Sequence, residues 1–426
     1  MENESIVHRI RTGFSPLFWI GNTLEIFERL AFYGSKAVLS FYLANKIGLG
    51  VTAAASLAGL FSGLVYGLPI VAGVFVDRFG FRKTLATCFS VFAVGYFLIG
   101  LGGMPQGQGI VESVGKTTYV SIVLLLTAVG GSLIKPCIVG TVERTSKPDY
   151  RALGFSIYYA LVNLGGAIGP IIATFVRSSY GIEFVFVMSA CTSAALVGGT
   201  LLFFREPVAA EPVATRTFGR LFGDMLLVFG NLRFMSFLVI FSGFYIMFWQ
   251  TFYSLPFYVT EVLHFDRFEV LETVDAWTII LLSIPLTAFA KKIPAIQAMT
   301  LAFLISSVSW LILAFSHTVG ACIAGLFLFA AGESILAPRL YDYVGLIAPR
   351  QQLGTFMGFA FLPVAIGSIL AGRLAGWLVQ HFMREGAGVT GMWITVAVVG
   401  FVSTALMVAY DQIVKRSTKT AAVVDA

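Results

Sequence analysis

The fold of this chain is decided by residues 15–43, which read SPLFWIGNTLEIFERLAFYGSKAVLSFYL. About 20 mostly apolar residues cross a bilayer as an α-helix, so this stretch predicts a membrane span. It nevertheless contains Glu25, Glu28, Arg29 and Lys36. Glu25, Arg29 and Lys36 share one face of such a helix, because successive residues lie about 100° apart. A charged face is costly against lipid, so we expect it to line a wet cavity.

A simpler interpretation of this face stays open at the level of sequence. Glu25 and Arg29 are four residues apart, which is the spacing of an ion pair along one helix. Such a pair could do no more than hold neighbouring helices together. Two acids and two bases in one span exceed what a packing contact needs, so we prefer the interpretation as a functional site.

The rest of the chain has the same apolar character. Of 426 residues, 58% are hydrophobic and 12% are charged, and the mean hydropathy is +0.87. A soluble domain carries about twice that charge, so the composition excludes a soluble enzyme or a nucleic-acid binder and predicts an all-α protein embedded in the lipid bilayer. Twelve spans are predicted at 15–43, 51–76, 84–104, 117–142, 152–176, 183–204, 233–262, 274–291, 294–316, 318–347, 351–380 and 389–413.

The loops predict the orientation and the domains. With a cytoplasmic N-terminus, eighteen cations fall on the inside and five on the outside, which satisfies the positive-inside rule and makes both termini cytoplasmic. The longest break, 205–232, predicts a cytoplasmic linker with an amphipathic helix near 218–229. It separates an N-terminal six-helix bundle, 1–204, from a C-terminal bundle and tail, 233–426. Transporters built from two such halves bind their substrate between them near mid-membrane.

Other charges within the spans differ between the two halves. Lys135 has no acid in its own span, so we expect Glu25 or Glu28 to be its partner. Glu333 is an isolated acid in the second half, whereas Arg339 and Asp342 are close enough along one helix to neutralise each other. Positive groups in the first half and Glu333 in the second predict a small zwitterionic substrate with separated charges.

Two motifs resemble those of a known transporter family. Residues 73–83, GVFVDRFGFRK, resemble the cytoplasmic gate signature of the major facilitator superfamily. The matching residues are Gly73, Asp77, Arg78, Gly80, Arg82 and Lys83. Residues 25–34, EIFERLAFYG, resemble the ExxERFxxYG signature of the proton-dependent oligopeptide transporters. The resemblance continues through GGSLIKP at 130–136, FSIYYALVNLGGAIGP at 155–170 and GESILAP at 332–338.

The resemblance implies the major facilitator fold of two pseudo-symmetric six-helix bundles. It also implies a symporter that moves protons together with di- and tripeptides or peptide-like zwitterions by alternating access, with no cofactor besides the proton as coupling ion. Proton coupling is then expected of Glu25, Glu28, Arg29 and Lys135. Substrate binding is expected of Tyr33, Lys36, Tyr66, Lys135, Asn163, Gln250 and Glu333.

Several positions depart from the pattern of that family, so the chain resembles a divergent member. Phe32 stands where a tyrosine is usual, and Phe248 and Trp249 precede Gln250 where an acid is expected. Asp275, at the predicted start of span eight, either replaces that acid or caps the helix, and we prefer the cap.

These departures leave other functions open. One is a proton-coupled carrier of another small organic solute or a drug-like amphiphile on the same fold. Another is a membrane receptor or scaffold that transports nothing. An enzyme is not predicted, because His8, His264, His317 and His381 lie in the tail or loops and neither a nucleophile elbow nor a metal cluster is present in the sequence. We expect a monomer in the plasma membrane, which is the inner membrane of a bacterium.

Overall fold

The computed structural model describes residues 10, 12–207, 218–349 and 352–424. Within those ranges the chain is helical apart from turns, loops and a bridge between Phe14 and Ser146. The predicted all-α class is confirmed; His8 lies outside the described residues. The α-helices are α1 Pro16–Phe41, α2 Val51–Gly67, α3 Pro69–Phe79, α4 Phe81–Gly102, α5 Pro105–Val114, α6 Lys116–Ser132, α7 Ile134–Thr145, α8 Arg151–Tyr180, α9 Glu183–Phe203, α10 Phe218–Gly230, α11 Leu232–Tyr253, α12 Leu255–Glu261, α13 Phe268–Ala290, α14 Ala295–Phe315, α15 Val319–Ile347, α16 Leu353–Phe359, α17 Leu362–Leu378 and α18 Val389–Val424.

Most of the predicted spans correspond to helices of membrane-crossing length. In the described part of the chain, ten helical segments are long and apolar enough to cross a bilayer, and α2 with α3 forms an eleventh that bends by 49°. The remaining predicted span is α1, a helix of 26 residues that contains the four charged residues of the first stretch. The total of twelve spans stays a prediction, because a helix with four charged residues is not an ordinary apolar membrane span.

Four spans are interrupted by a break, and each break is followed by a proline in the first turn of the next helix. A proline there removes an N–H that has no partner within the helix, so it marks a helix start without costing a hydrogen bond. The four prolines are Pro69, Pro136, Pro256 and Pro363. The second of these breaks lies at Leu133 and places Lys135 in the first turn of α7.

The described helices form two compact units. Unit 1 comprises Met1–Leu49 and Leu64–Leu221, and unit 2 comprises Gly50–Gly63 and Phe222–Ala426. The amphipathic segment predicted near 218–229 is a helix, α10, although its position at the membrane surface stays a prediction. The division into 1–204, 205–232 and 233–426 also stays a prediction.

Unit 1 is organised around α1, which packs against α7, α8 and α9. The Ser35 hydroxyl lies 2.6 Å from the Ser189 hydroxyl of α9, and the Tyr42 hydroxyl donates to the Ile99 carbonyl at 2.6 Å. At the end of the first span, Lys46 Nζ lies 2.9 Å from Glu183 Oε1. These polar contacts fix α1 in rotation, so that its charged face is turned towards α7 and α8.

Unit 2 contains a close contact between α2 and α17, which we call the glycine interlock and define by Ala55, Gly59, Ser368 and Gly372. A Cβ on Gly372 would lie 2.4 Å from the Ala55 carbonyl oxygen and 2.9 Å from Gly59 Cα. The Ser368 hydroxyl donates to the Gly59 carbonyl at 2.9 Å and lies 2.8 Å from the Tyr253 hydroxyl. The two backbones touch because neither glycine has a side chain.

The start predicted for span eight is wrong. Helix α13 begins at Phe268 rather than near 274, so Asp275 lies in the interior of the helix and Arg267 occupies the cap position. The preferred interpretation of Asp275 as a helix cap is therefore excluded. The longer helix brings two further acids, Glu269 and Glu272, into the span, and both are buried.

Candidate proton-coupling and substrate-binding site

The centre of the candidate site is a buried arginine between two glutamates on α1. Arg29 Nε donates to Glu28 Oε2 and lies 3.3 Å from Glu25 Oε1. None of the three side chains is more than 2% exposed. Two carboxylates thus share one guanidinium, and the trio carries a net charge of −1 when every member is ionised. A buried trio of this kind needs a further cation or a proton to be neutral.

That further cation is Lys135, which reaches the trio through a tyrosine. Lys135 Nζ donates to the Tyr158 hydroxyl at 3.2 Å, and the hydroxyl lies 3.4 Å from Glu25 Oε1, to which it donates. The ammonium also lies 5.7 Å from the centre of the Tyr158 ring. The structure therefore brings Glu25, Glu28, Arg29 and Lys135 together, as the sequence predicted, but the link between Lys135 and Glu25 is a hydroxyl.

Aromatic rings surround the cations of α1. Arg29 Cζ lies 4.9 Å from the centre of the Phe32 ring, and Lys36 Nζ lies 5.2 Å from the centre of the Tyr33 ring. Tyr66, near the end of α2, is half-buried. Cations over ring faces are stabilised by the ring quadrupole. Phe32 stands where the family pattern has a tyrosine. It offers a ring face to Arg29 but has no hydroxyl that could form a hydrogen bond there.

The remaining predicted substrate-binding residues have different surroundings. Asn163 is half-buried on α8, and its Nδ2 donates to the Tyr159 carbonyl at 2.8 Å. In unit 2, Gln250 is fully buried; its Nε2 donates to the Ala371 carbonyl at 3.3 Å and its Oε1 accepts from the Ser254 hydroxyl. Glu333 is half-buried on α15. The amide of Gln250 is therefore already engaged within unit 2.

Two further features of unit 2 bear on the predictions. Arg339 Nη1 lies 2.7 Å from Asp342 Oδ2, so this pair neutralises itself as predicted. The Trp249 ring stacks on Tyr253 with the ring centres 5.4 Å apart, and its Nε1 donates to the Val364 carbonyl at 3.2 Å. Trp249 is thus part of the packed interior.

The gate motif forms the turn between α3 and α4. Gly80 has a φ of 82°, a left-handed conformation that favours glycine. Past this turn, the Glu206 carboxylate accepts hydrogen bonds from the backbone N–H groups of Phe81 at 2.6 Å and Arg82 at 3.0 Å. The Arg82 guanidinium donates in turn to the Leu201 carbonyl. Glu206 therefore caps α4 from the end of the sixth span, which sequence analysis missed.

Loss of this cap gives a testable prediction. Glu206→Ala should destabilise the folded protein by about 0.5–2 kcal/mol, because two N–H groups at the start of α4 lose their acceptor. The thermal midpoint of the detergent-purified protein measures the effect. Glu112→Ala, at an exposed acid of α5, is the control and should leave the midpoint unchanged. Equal midpoints for the two variants would show that the Glu206 contacts contribute nothing.

A cavity of about 1250 Å³ opens beside the gate motif in unit 1. Its lining contains both signs of charge: Asp77, Glu143, Arg144, Lys147, Arg151 and Glu206. Pro136, next to Lys135, also lines it. Unit 1 therefore has a polar opening that adjoins the start of α7, where the buried cluster has its lysine.

A polytopic helical protein with paired charges buried in its first span and a charged cavity beside a gate turn has the character of a membrane transporter. The chain belongs to the Major Facilitator Superfamily, whose sequence profile matches residues 24–274, more than half of its length. That family consists of transporters, which agrees with the prediction that the chain is not an enzyme.

Similar proteins include both peptide and multidrug transporters. Dipeptide and tripeptide permease B of Aliivibrio fischeri is 28% identical over 191 residues, or 44% of this chain and 36% of the permease. The chain thus spans about a third of that relative. Multidrug resistance protein MdtH of Edwardsiella ictaluri is 22% identical over 413 residues, or 95% of each chain.

Solved structures of the oligopeptide transporters have the same fold. A POT family transporter in complex with 5-aminolevulinic acid superposes with a TM-score of 0.77 at 18% identity, covering 92% of this chain and 95% of that one. The fold match and the permease match together confirm the resemblance to the proton-dependent oligopeptide transporters. The major facilitator fold is thereby confirmed as well.

Proposed function

We propose that this chain is a proton-coupled symporter of di- and tripeptides or peptide-like zwitterions that works by alternating access. The observation that carries the proposal is the buried cluster of unit 1, in which Glu25, Glu28, Arg29 and Lys135 are joined by hydrogen bonds and ion pairs. The coupling ion is the proton, and no cofactor takes part.

The electrostatics of the cluster support coupled binding. Two carboxylates and two cations sum to zero when all four groups are ionised. A proton that binds Glu25 leaves the cluster with one excess positive charge, which is costly in a buried site. A substrate carboxylate beside Lys135 restores neutrality. Proton and substrate therefore favour each other's binding, and this difference in affinity is the coupling free energy.

The proposed substrate class follows from the residues and from the relatives. Lys36, Lys135 and Asn163 would bind the carboxyl end and backbone of the substrate, and Glu333 its amino end. The names of the similar proteins support this class: a dipeptide and tripeptide permease, and a transporter bound to 5-aminolevulinic acid, a compound that has an amino group and a carboxyl group.

A second candidate is a proton-coupled carrier of another small organic solute or a drug-like amphiphile. Its support is the extent of the match to the multidrug protein, which covers 95% of this chain, whereas the match to the peptide permease covers 44%. The replacement of the family's acid before Gln250 by Phe248 and Trp249 points the same way, although Trp249 is packed inside unit 2.

The remaining parts of the proposal concern location and assembly. The chain is a multi-pass membrane transporter. We further propose that it lies in the bacterial inner membrane as a monomer with both termini in the cytoplasm, because the cations of the loops concentrate on that side.

Uptake by vesicles that contain the purified protein tests the proposed function. An inward proton gradient should drive accumulation of radiolabelled dipeptides, and an uncoupler should abolish it. Glu25→Gln should reduce gradient-driven uptake to the level of empty vesicles, because the proton acceptor is gone. The matched control, Glu112→Gln, changes an exposed acid and should transport as the unaltered protein does.

Competition separates the candidates. Displacement of the labelled substrate by di- and tripeptides supports peptide transport. Gradient-driven uptake of a cationic amphiphile that no peptide displaces supports the second candidate. If neither the peptides nor the cationic amphiphile is taken up, the result would contradict transport and favour a receptor or scaffold.

A further inference from the structure

Tyr158 occupies a position in unit 1 to which neither the family motifs nor the charge pattern assigns a role. It lies on α8, is 8% exposed, and its hydroxyl stands between a lysine of α7 and a glutamate of α1. Among the described residues, Lys135 is linked to Glu25 through this hydroxyl, at 3.2 Å on the lysine side and 3.4 Å on the glutamate side. The Tyr158 hydroxyl is thus hydrogen-bonded to two of the proposed coupling groups, Lys135 and Glu25.

A phenol hydroxyl has one proton to donate and lone pairs to accept with. With Glu25 ionised, the proton points to the carboxylate, and the oxygen is free to accept from the Lys135 ammonium. Each of these two hydrogen bonds strengthens the other, because polarising the hydroxyl makes its oxygen a better acceptor. The ammonium is therefore held most firmly while Glu25 carries its negative charge.

Protonation of Glu25 removes that arrangement. The proton adds to a carboxylate oxygen, so the carboxyl group becomes neutral and attracts the hydroxyl proton of Tyr158 less strongly than the carboxylate does. The hydroxyl is then less polarised, so its hydrogen bond with the Lys135 ammonium weakens. No bond other than the O–H bond on Glu25 is formed.

We propose that Tyr158 is a positioning residue for proton coupling, whose hydroxyl makes the release of Lys135 depend on the charge of Glu25. This inference rests on the proposed function and deepens it. The ionisable groups that act on the hydroxyl come from two neighbouring helices: Glu25, Glu28, Arg29 and Tyr33 on α1, and Lys135 on α7. Another tyrosine of the same helix, Tyr180, is 67% exposed and therefore serves as the control position.

Transport assays on Tyr158→Phe test the coupling directly. Proton-driven accumulation of labelled Ala-Ala should fall about tenfold or more, the loss expected for a hydrogen bond to a charged group. Counterflow of Ala-Ala without a proton gradient should stay near the unaltered level, because substrate binding keeps Lys135. The control Tyr180→Phe should leave both rates unchanged. Equal loss in the two assays, or loss in neither, overturns the inference.

A titration of the purified full chain distinguishes failure of this inference from failure of the proposed function. The infrared C=O band of protonated Glu25, assigned by its absence in Glu25→Gln, is followed against pH. Lys135→Met should move the midpoint of this band by about one pH unit. In the Tyr158→Phe background the same substitution should move it far less. Equal shifts in both backgrounds overturn the role of Tyr158, whether or not the protein transports peptides.

Discussion

Replacing Arg29 with methionine should lower the stability of the folded protein by about 3–5 kcal/mol, because it leaves two buried carboxylates without their shared cation. The side chain is 2% exposed and pairs with both Glu25 and Glu28. Methionine has a similar volume and no charge, so the effect reports the lost charge more than lost packing. The thermal midpoint of the purified protein is the measurement, and gradient-driven uptake should disappear with it.

A charge-matched variant is the control for this prediction. In the quadruple variant Arg29→Met, Glu25→Gln, Glu28→Gln, Lys135→Met, no ionised group remains in the cluster, so much of the lost stability should return. Uptake should stay absent, because Glu25 is gone. If the quadruple variant is no more stable than Arg29→Met alone, the cluster is held by packing rather than by charge.

Gly372→Leu should be the second most damaging substitution, with a loss of about 1–3 kcal/mol. The first atom of the new side chain would lie 2.4 Å from the Ala55 carbonyl oxygen, and the obstacle is backbone, which no change of rotamer can relieve. The expected result is a lower thermal midpoint and a large fall in uptake. The matched control is Gly320→Leu in the same unit, where a Cβ meets no atom within 4 Å.

One outcome would show that the glycine interlock is not a tight contact. If Gly372→Leu and Gly320→Leu have the same thermal midpoint and the same uptake, α2 and α17 do not touch in the folded protein. Ser368→Ala, which removes the contacts of this hydroxyl with the Gly59 carbonyl and the Tyr253 hydroxyl and adds no volume, should have a milder effect than Gly372→Leu.

The spans could be predicted from sequence because apolar runs of sufficient length allow few alternatives in a membrane. The charged face of α1 followed from the spacing of Glu25, Arg29 and Lys36, which is fixed by helical geometry. The neutralising pair of Arg339 and Asp342 followed in the same way. Each of these inferences concerns residues of one helix, and their relative positions follow from the helical periodicity alone.

Contacts between helices were harder to predict. Tyr158 and Tyr159 are adjacent, and the sequence alone does not tell which of them turns towards Lys135. Glu206 was missed because its partners, Phe81 and Arg82, are backbone groups more than a hundred residues away. The start of α13 was misplaced because the acids Glu269 and Glu272 look like loop residues, although the structure buries them.

Long sequence separation also has a consequence for how the chain is made. The hydrogen bond from the Ser368 hydroxyl to the Gly59 carbonyl joins residues 309 positions apart. At about 5–20 residues per second, a ribosome needs roughly 15–60 s to cover that distance. For this interval the small-residue face of α2 is already synthesised while the partner it will touch does not yet exist. During biogenesis, lipid or an insertion factor must therefore cover this face of the second span until the eleventh predicted span has been synthesised.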